Sequence, residues 1–101
     1  NKITIKSLTI DKFIKQKKIK KIDLLKIDTE GHELEILKGA LKTIKEKRVK
    51  FILIEIHFSK MYKNYSKKKI ESFLKKNNFF LLKQFKFPFL SFVDKLYQFK
   101  K

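Results

Sequence analysis

Apolar residues are nearly continuous from Ile22 to Ile27, stop across Asp28-Thr29-Glu30-Gly31-His32-Glu33, and return at Leu34, Leu37, Leu41 and Ile44. An unbroken apolar run of that length marks a strand covered on both faces of a parallel sheet. The later spacing of three and four residues marks one face of a helix. The pattern predicts a buried strand over 22–28, a polar turn, and a helix from about residue 30 to 47. That helix carries Glu30, Glu33 and Glu35 at its start and Lys42, Lys45, Lys47 and Arg48 near its end, a polarity that suits the helix dipole. Val49-Lys50-Phe51-Ile52-Leu53-Ile54-Glu55-Ile56-His57 reads as a second strongly apolar strand. These two strands are expected to be parallel neighbours, buried on both faces.

Weaker patterns flank this centre. Ile3-Thr4-Ile5-Lys6-Ser7-Leu8-Thr9 alternates as a strand does. Thr9 or Asp11 is placed to cap a short helix reaching about Lys18, with Ile10, Phe13 and Ile14 inward. The basic run from Lys15 to Lys21 then reads as a solvated connection. After a loop over 58–65, Ser66 is placed to cap a helix with Ile70, Phe73 and Leu74 on its inner side, ended by Asn77-Asn78. Residues 79–85 and 92–99 read as two strands around a turn containing Pro88. Their connection is too short for a helical crossover, so they pair antiparallel. Strand, short helix, strand, helix, strand, helix and hairpin make the second half of an α/β sheet.

At 101 residues the chain is one small domain. It has no cysteine, so disulfides and thiolate metal sites are excluded. No apolar run approaches the roughly 20 residues of a membrane span and no signal-peptide pattern opens the sequence, so no membrane span and a cytoplasmic setting are expected. A first residue of Asn1 rather than Met hints at a piece of a longer protein. Lysine and arginine number 27 against 10 acids, a net charge of +17, but the only arginine is Arg48. Specific phosphate and base recognition favours arginine forks, and Lys, Ile, Phe and Asn are the residues an A/T-rich coding sequence produces. The charge is therefore read as solvated surface, with no specific nucleic-acid partner.

The polar turn is where chemistry is expected. It follows the carboxyl end of a buried strand, the place where open α/β sheets bind ligands. Asp28, Glu30, Glu33 and His32 put three carboxylates and an imidazole within six residues. Each has a plainer reading: Asp28 as a helix cap, Glu30 as an acid favoured by the dipole, Glu33 and Glu35 as dipole-matched or solvent-facing acids. Gly31 permits a tight turn, and Gly39, costly within a helix by about 1 kcal/mol, implies close packing of helix against sheet. Glu55 and His57 share one face of their strand. Glu55 needs a partner if buried, for which Lys26 is the candidate. His57 ends the strand, and an imidazole titrating near about 6.5 suits the removal of a hydroxyl proton.

The run Leu25-Lys26-Ile27-Asp28-Thr29-Glu30-Gly31-His32-Glu33-Leu34-Glu35-Ile36-Leu37-Lys38-Gly39-Ala40 resembles the signature L-K-I-D-x-E-G-x-E-x-x-x-L-x-G-A of FkbM-type methyltransferases. Leu8-Thr9-Ile10-Asp11 is similar to that family's T-L-D segment, and Ile54-Glu55-Ile56-His57 to its V-E-I-H strand end. The resemblance spans roughly residues 3 to 60. It implies a partial Rossmann-like class I methyltransferase sheet, mostly parallel strands with flanking helices and a C-terminal antiparallel hairpin. It further implies S-adenosylmethionine as cofactor and methyl transfer to a hydroxyl of a sugar, glycolipid or small metabolite. Asp28, Glu30 and His57 are then the catalytic candidates, and Asp28 also lies beside the methyl donor. The glycine-rich loop that cradles the donor in such enzymes is absent, since Gly31 and Gly39 are the only glycines. The resemblance thus implies the C-terminal half of such a domain, inactive by itself. No metal site is expected, because Asp28 and Glu30 alone are too few ligands. The alternative reading is a noncatalytic basic α/β fragment that binds polyanions nonspecifically.

Overall fold

In the computed structural model, residues 9–28, 32–57, 67–87, 89 and 92–101 are described. The expected strand over 3–9, the loop over 58–65, the Ser66 cap, Gly31 and the Pro88 turn lie wholly or largely outside them. The elements are α1 (Ile10–Lys17), β1 (Ile22–Ile27), α2 (Glu33–Lys38), α3 (Leu41–Lys45), β2 (Val49–His57), α4 (Lys67–Lys76), β3 (Phe79–Lys86) and β4 (Phe92–Phe99). Among the described residues no helix is long and apolar enough to cross a membrane.

Thr9 caps α1: its hydroxyl accepts from the Lys12 amide at 3.2 Å. Asp11 does something else. Its carboxylate accepts from the backbone amides of Lys42 at 3.1 Å and Thr43 at 2.9 Å and from the Thr43 hydroxyl at 2.6 Å. It caps α3, whose own N-cap residue, Ala40, offers no side-chain hydrogen bond.

The single helix expected over 30–47 is accordingly two, broken at Gly39-Ala40. Glycine weakens a helix at that point, the Gly39 carbonyl accepts from the Asp11 amide at 2.9 Å, and the Asp11 carboxylate restarts the helix. A Cβ on Gly39 would lie 3.3 Å from the Cβ of Thr9. The close approach that requires glycine is therefore to the start of α1 rather than to the sheet.

The four strands form one mixed sheet in the order β1-β2-β4-β3. β1 and β2 pair in parallel as expected, while β4 pairs antiparallel with both β2 and β3. The expectation of mostly parallel strands is thus corrected, because insertion of β4 between β2 and β3 makes two of the three pairings antiparallel. The expectation that β1 and β2 are buried on both faces is corrected as well. β1 is an edge strand with Asp23, Leu24 and Lys26 exposed.

Past the buried Ile22–Val49 pair that opens the parallel strands, burial alternates. Leu25, Ile27, Ile52, Ile54, Ile56, Val93 and Tyr97 form one core with Ile10, Ile14, Leu37, Ala40, Ile44, Ile70 and Leu74 of the helices. The opposite parity, Leu24, Lys26, Phe51, Leu53, Glu55, Asp94 and Leu96, is half-buried or exposed. The helices pack on one face and leave the other open. Within the packed face, Lys95 is buried with its Nζ 3.1 Å from the Glu71 carboxylate. Burial and that nearby carboxylate push the Tyr97 phenol up to about 12.

Candidate active site

The open face holds a cavity where β1 and β2 end. Pairing sets Lys26 beside Leu53 and Ile27 beside Ile54, and antiparallel pairing sets Glu55 opposite Asp94. Asp28 follows β1 directly. Lys26, Ile27, Asp28, Leu53, Glu55 and Asp94, with Phe87 and Phe92, line a cavity of about 190 Å³.

Asp28 and Glu55 both line the cavity, near enough for Asp28 to act on the Glu55 carboxyl. Glu55 is pushed up from 4.5 to about 7, first by desolvation, then by the Asp28 hydrogen bond and charge, then by Asp94 and Glu33. Asp94 is also raised, mainly by burial and further by Asp28, with the Lys26 ammonium pulling the other way. The site sets Glu55, raised to about 7, beside the carboxyl groups of Asp28 and Asp94 and the Lys26 ammonium. Such perturbation, in a concavity at the carboxyl ends of parallel strands, is what acid–base sites show.

Of the residues singled out from sequence, the structure brings Asp28 into this cavity. Glu30 lies outside the described residues. The His57 backbone closes β2 opposite Phe92, and its side chain lies outside the description. Glu33 is fully buried at the start of α2 rather than solvent-facing. Glu55 and Lys26, the partner the sequence suggested for it, line the same cavity, and the Lys26 charge also acts on Asp94. Asp94 is the residue that sequence reasoning missed. Its only signal is an acid within a strand of alternating burial, which gains meaning once the register sets it opposite Glu55. No group of three or more His, Asp or Glu able to hold a metal ion occurs among the described residues.

Residues 1–81 match the family profile described as methyltransferase FkbM domain. Hexuronic acid methyltransferase AglP of Haloferax volcanii is 38% identical over 55 residues, which is 54% of this chain and 22% of that relative. The aligned stretch spans about a fifth of the relative's length. No solved structure matches significantly.

Proposed function

We propose, from the premise that the chain belongs to the methyltransferase FkbM domain family, that it serves methyl transfer from S-adenosylmethionine to a hydroxyl group, with the Asp28–Glu55 pair taking the proton. The convergence of Asp28, Glu55 and Asp94 on one cavity at the carboxyl ends of the parallel strands is the observation that carries this reading. A hydroxyl acceptor must lose its proton as it is methylated, and a base titrating near the working pH does this best. Glu30 and His57 join the proposal by position, two residues beyond Asp28 and Glu55 respectively.

When bound, the donor supplies a methyl group on a positively charged sulfonium. Asp28, Glu55 and Asp94 against the single Lys26 suit that charge. A cavity of about 190 Å³ is below the roughly 300–1,000 Å³ of sites that enclose a whole ligand of that size, and no glycine-rich loop is available for the nucleoside. The residues present fit the reacting end of the donor and not its nucleoside. In keeping with a Rossmann-like methyltransferase sheet, β1, β2 and β3 all run in one direction with β4 reversed between the last two.

The acceptor class follows from the same charges. The relative's name specifies a hexuronic acid, which offers both hydroxyls and a carboxylate. A carboxylate entering this cavity meets three carboxyl groups, whereas a hydroxyl finds a proton acceptor. Assay of a polypeptide in which a glycine-rich half precedes this chain, with labelled donor and uronic or neutral sugars, is expected to give alkali-stable methyl ethers. Alkali-labile methyl esters as the product would overturn the hydroxyl assignment.

A further inference from the structure

The methyl-transfer reading leaves the large positive charge unused, and the structure concentrates part of it. At the amino ends of β1 and β2, a groove of about 470 Å³ runs between α1, the connection that follows it, and α3. Lys12, Lys15, Lys18, Lys20, Lys42 and Arg48 line it. Five residue steps of β1 separate this end from the carboxyl cavity, roughly 17 Å at the rise of a strand, so the two sites are independent.

The groove is ordered by contacts that leave its lysines available. Both oxygens of Asp11 are taken by the α3 amides and the Thr43 hydroxyl. Glu46 is held by the Arg48 Nε at 3.1 Å, and the Arg48 Nη1 donates to the Ile19 carbonyl at 3.5 Å. Lys18, in the left-handed conformation at φ 54°, turns the chain at the groove's rim. Lys12, Lys15, Lys18, Lys20 and Lys42 are exposed, and none makes an ion pair with a described residue. Five unpaired ammoniums around one concavity repel one another, and an anion of high charge relieves that repulsion.

The lining also selects among anions. Lysine presents compact point charges on flexible stems and not the planar fork that reads base edges. Among the described residues no aromatic side chain lines the groove, so these offer no platform on which bases could stack. Ile14 and Ile19 supply an apolar wall instead. We propose that this groove binds a compact di- or triphosphate group, free in solution or carried as the headgroup of a lipid.

The test is calorimetric titration of the full chain with inorganic tripolyphosphate at low salt. Two variants of equal charge change are compared, K15Q/K18Q/K42Q in the groove and K68Q/K75Q/K76Q on α4. Saturable binding is expected, weakened about tenfold or more by the groove triple and less than about threefold by the α4 triple. All six substituted side chains are exposed, so both variants should keep the parent melting temperature. Equal weakening by the two triples, or no saturable binding to the parent chain, would overturn the site. Flotation with phosphatidylcholine vesicles containing diacylglycerol pyrophosphate separates the sources. Groove-dependent flotation assigns a lipid headgroup, and tripolyphosphate binding without flotation assigns a free phosphate. Binding of a single-stranded oligonucleotide in preference to tripolyphosphate would also overturn the proposal.

Discussion

On β2, Ile52, Ile54 and Ile56 are wholly buried beneath the helices, while Phe51 and Leu53, interleaved with them on the same strand, are only half-buried. The outer strand β3 goes further, with Phe80 and Phe85 retaining 41% and 38% of their exposure. The two faces of the sheet are alike in apolar content and differ in cover. The difference bears on chemistry, because the Asp28–Glu55 pair sits on the open face. There partial desolvation, together with the neighbouring carboxyl groups of Asp28, Asp94 and Glu33, brings Glu55 to about 7.

The sharpest way to break this comparison is to remove equal bulk from each face. Ile54→Ala should cost about 2–5 kcal/mol in urea unfolding, and Leu53→Ala, beside it but facing outward, about 1 kcal/mol or less. Equal losses would mean that the open face is covered in solution. On the packed side, Asp11→Ala should cost about 1–2 kcal/mol, since it strips the cap from α3. Asp11→Asn should recover most of that loss, because one oxygen can still accept.

On the open side, stability should depend on pH through Glu55. Its folded value lies above its ordinary one, so the folded state holds the proton more tightly than the unfolded chain does. The resulting stability is present below about 4.5 and lost as pH rises through about 7. Glu55→Gln should remove that decline, so melting temperatures of parent and variant diverge across this window; parallel curves would refute the raised Glu55 value. In methyl transfer the same substitution should lower turnover by about 10²–10⁴-fold. The smallest effect is expected at the exposed β3 edge, where Leu82→Ser should change stability by no more than about 0.5 kcal/mol while reducing self-association at high concentration.

Much of this architecture was legible because it depends on local pattern. The 79–86 and 92–99 hairpin follows from two strand-like runs and a short connection, and the 22–27 and 49–57 strands from dense apolar runs. What stayed hidden depends on residues far apart in the chain. The break at Gly39-Ala40 is imposed by Asp11, and nothing near residue 40 signals it beyond the glycine. The edge position of β1 follows from strand order, which apolar content does not report. Glu55 was visible as a residue needing a partner, yet that Asp28 joins Lys26 beside it requires knowing how the β1 end meets β2. Asp94 enters the cavity only through the β2–β4 register.

The Asp11 clasp also has a dynamic consequence. The amides of Lys42 and Thr43 are protected by a side chain that lies 31 and 32 positions earlier. They can open to solvent only when α1 lifts away or α3 unravels. Hydrogen–deuterium exchange at those two amides therefore reports the docking of α1, and α1 and α3 should open together as one cooperative unit. A nick in the basic connection between α1 and β1 would leave the two helices fastened.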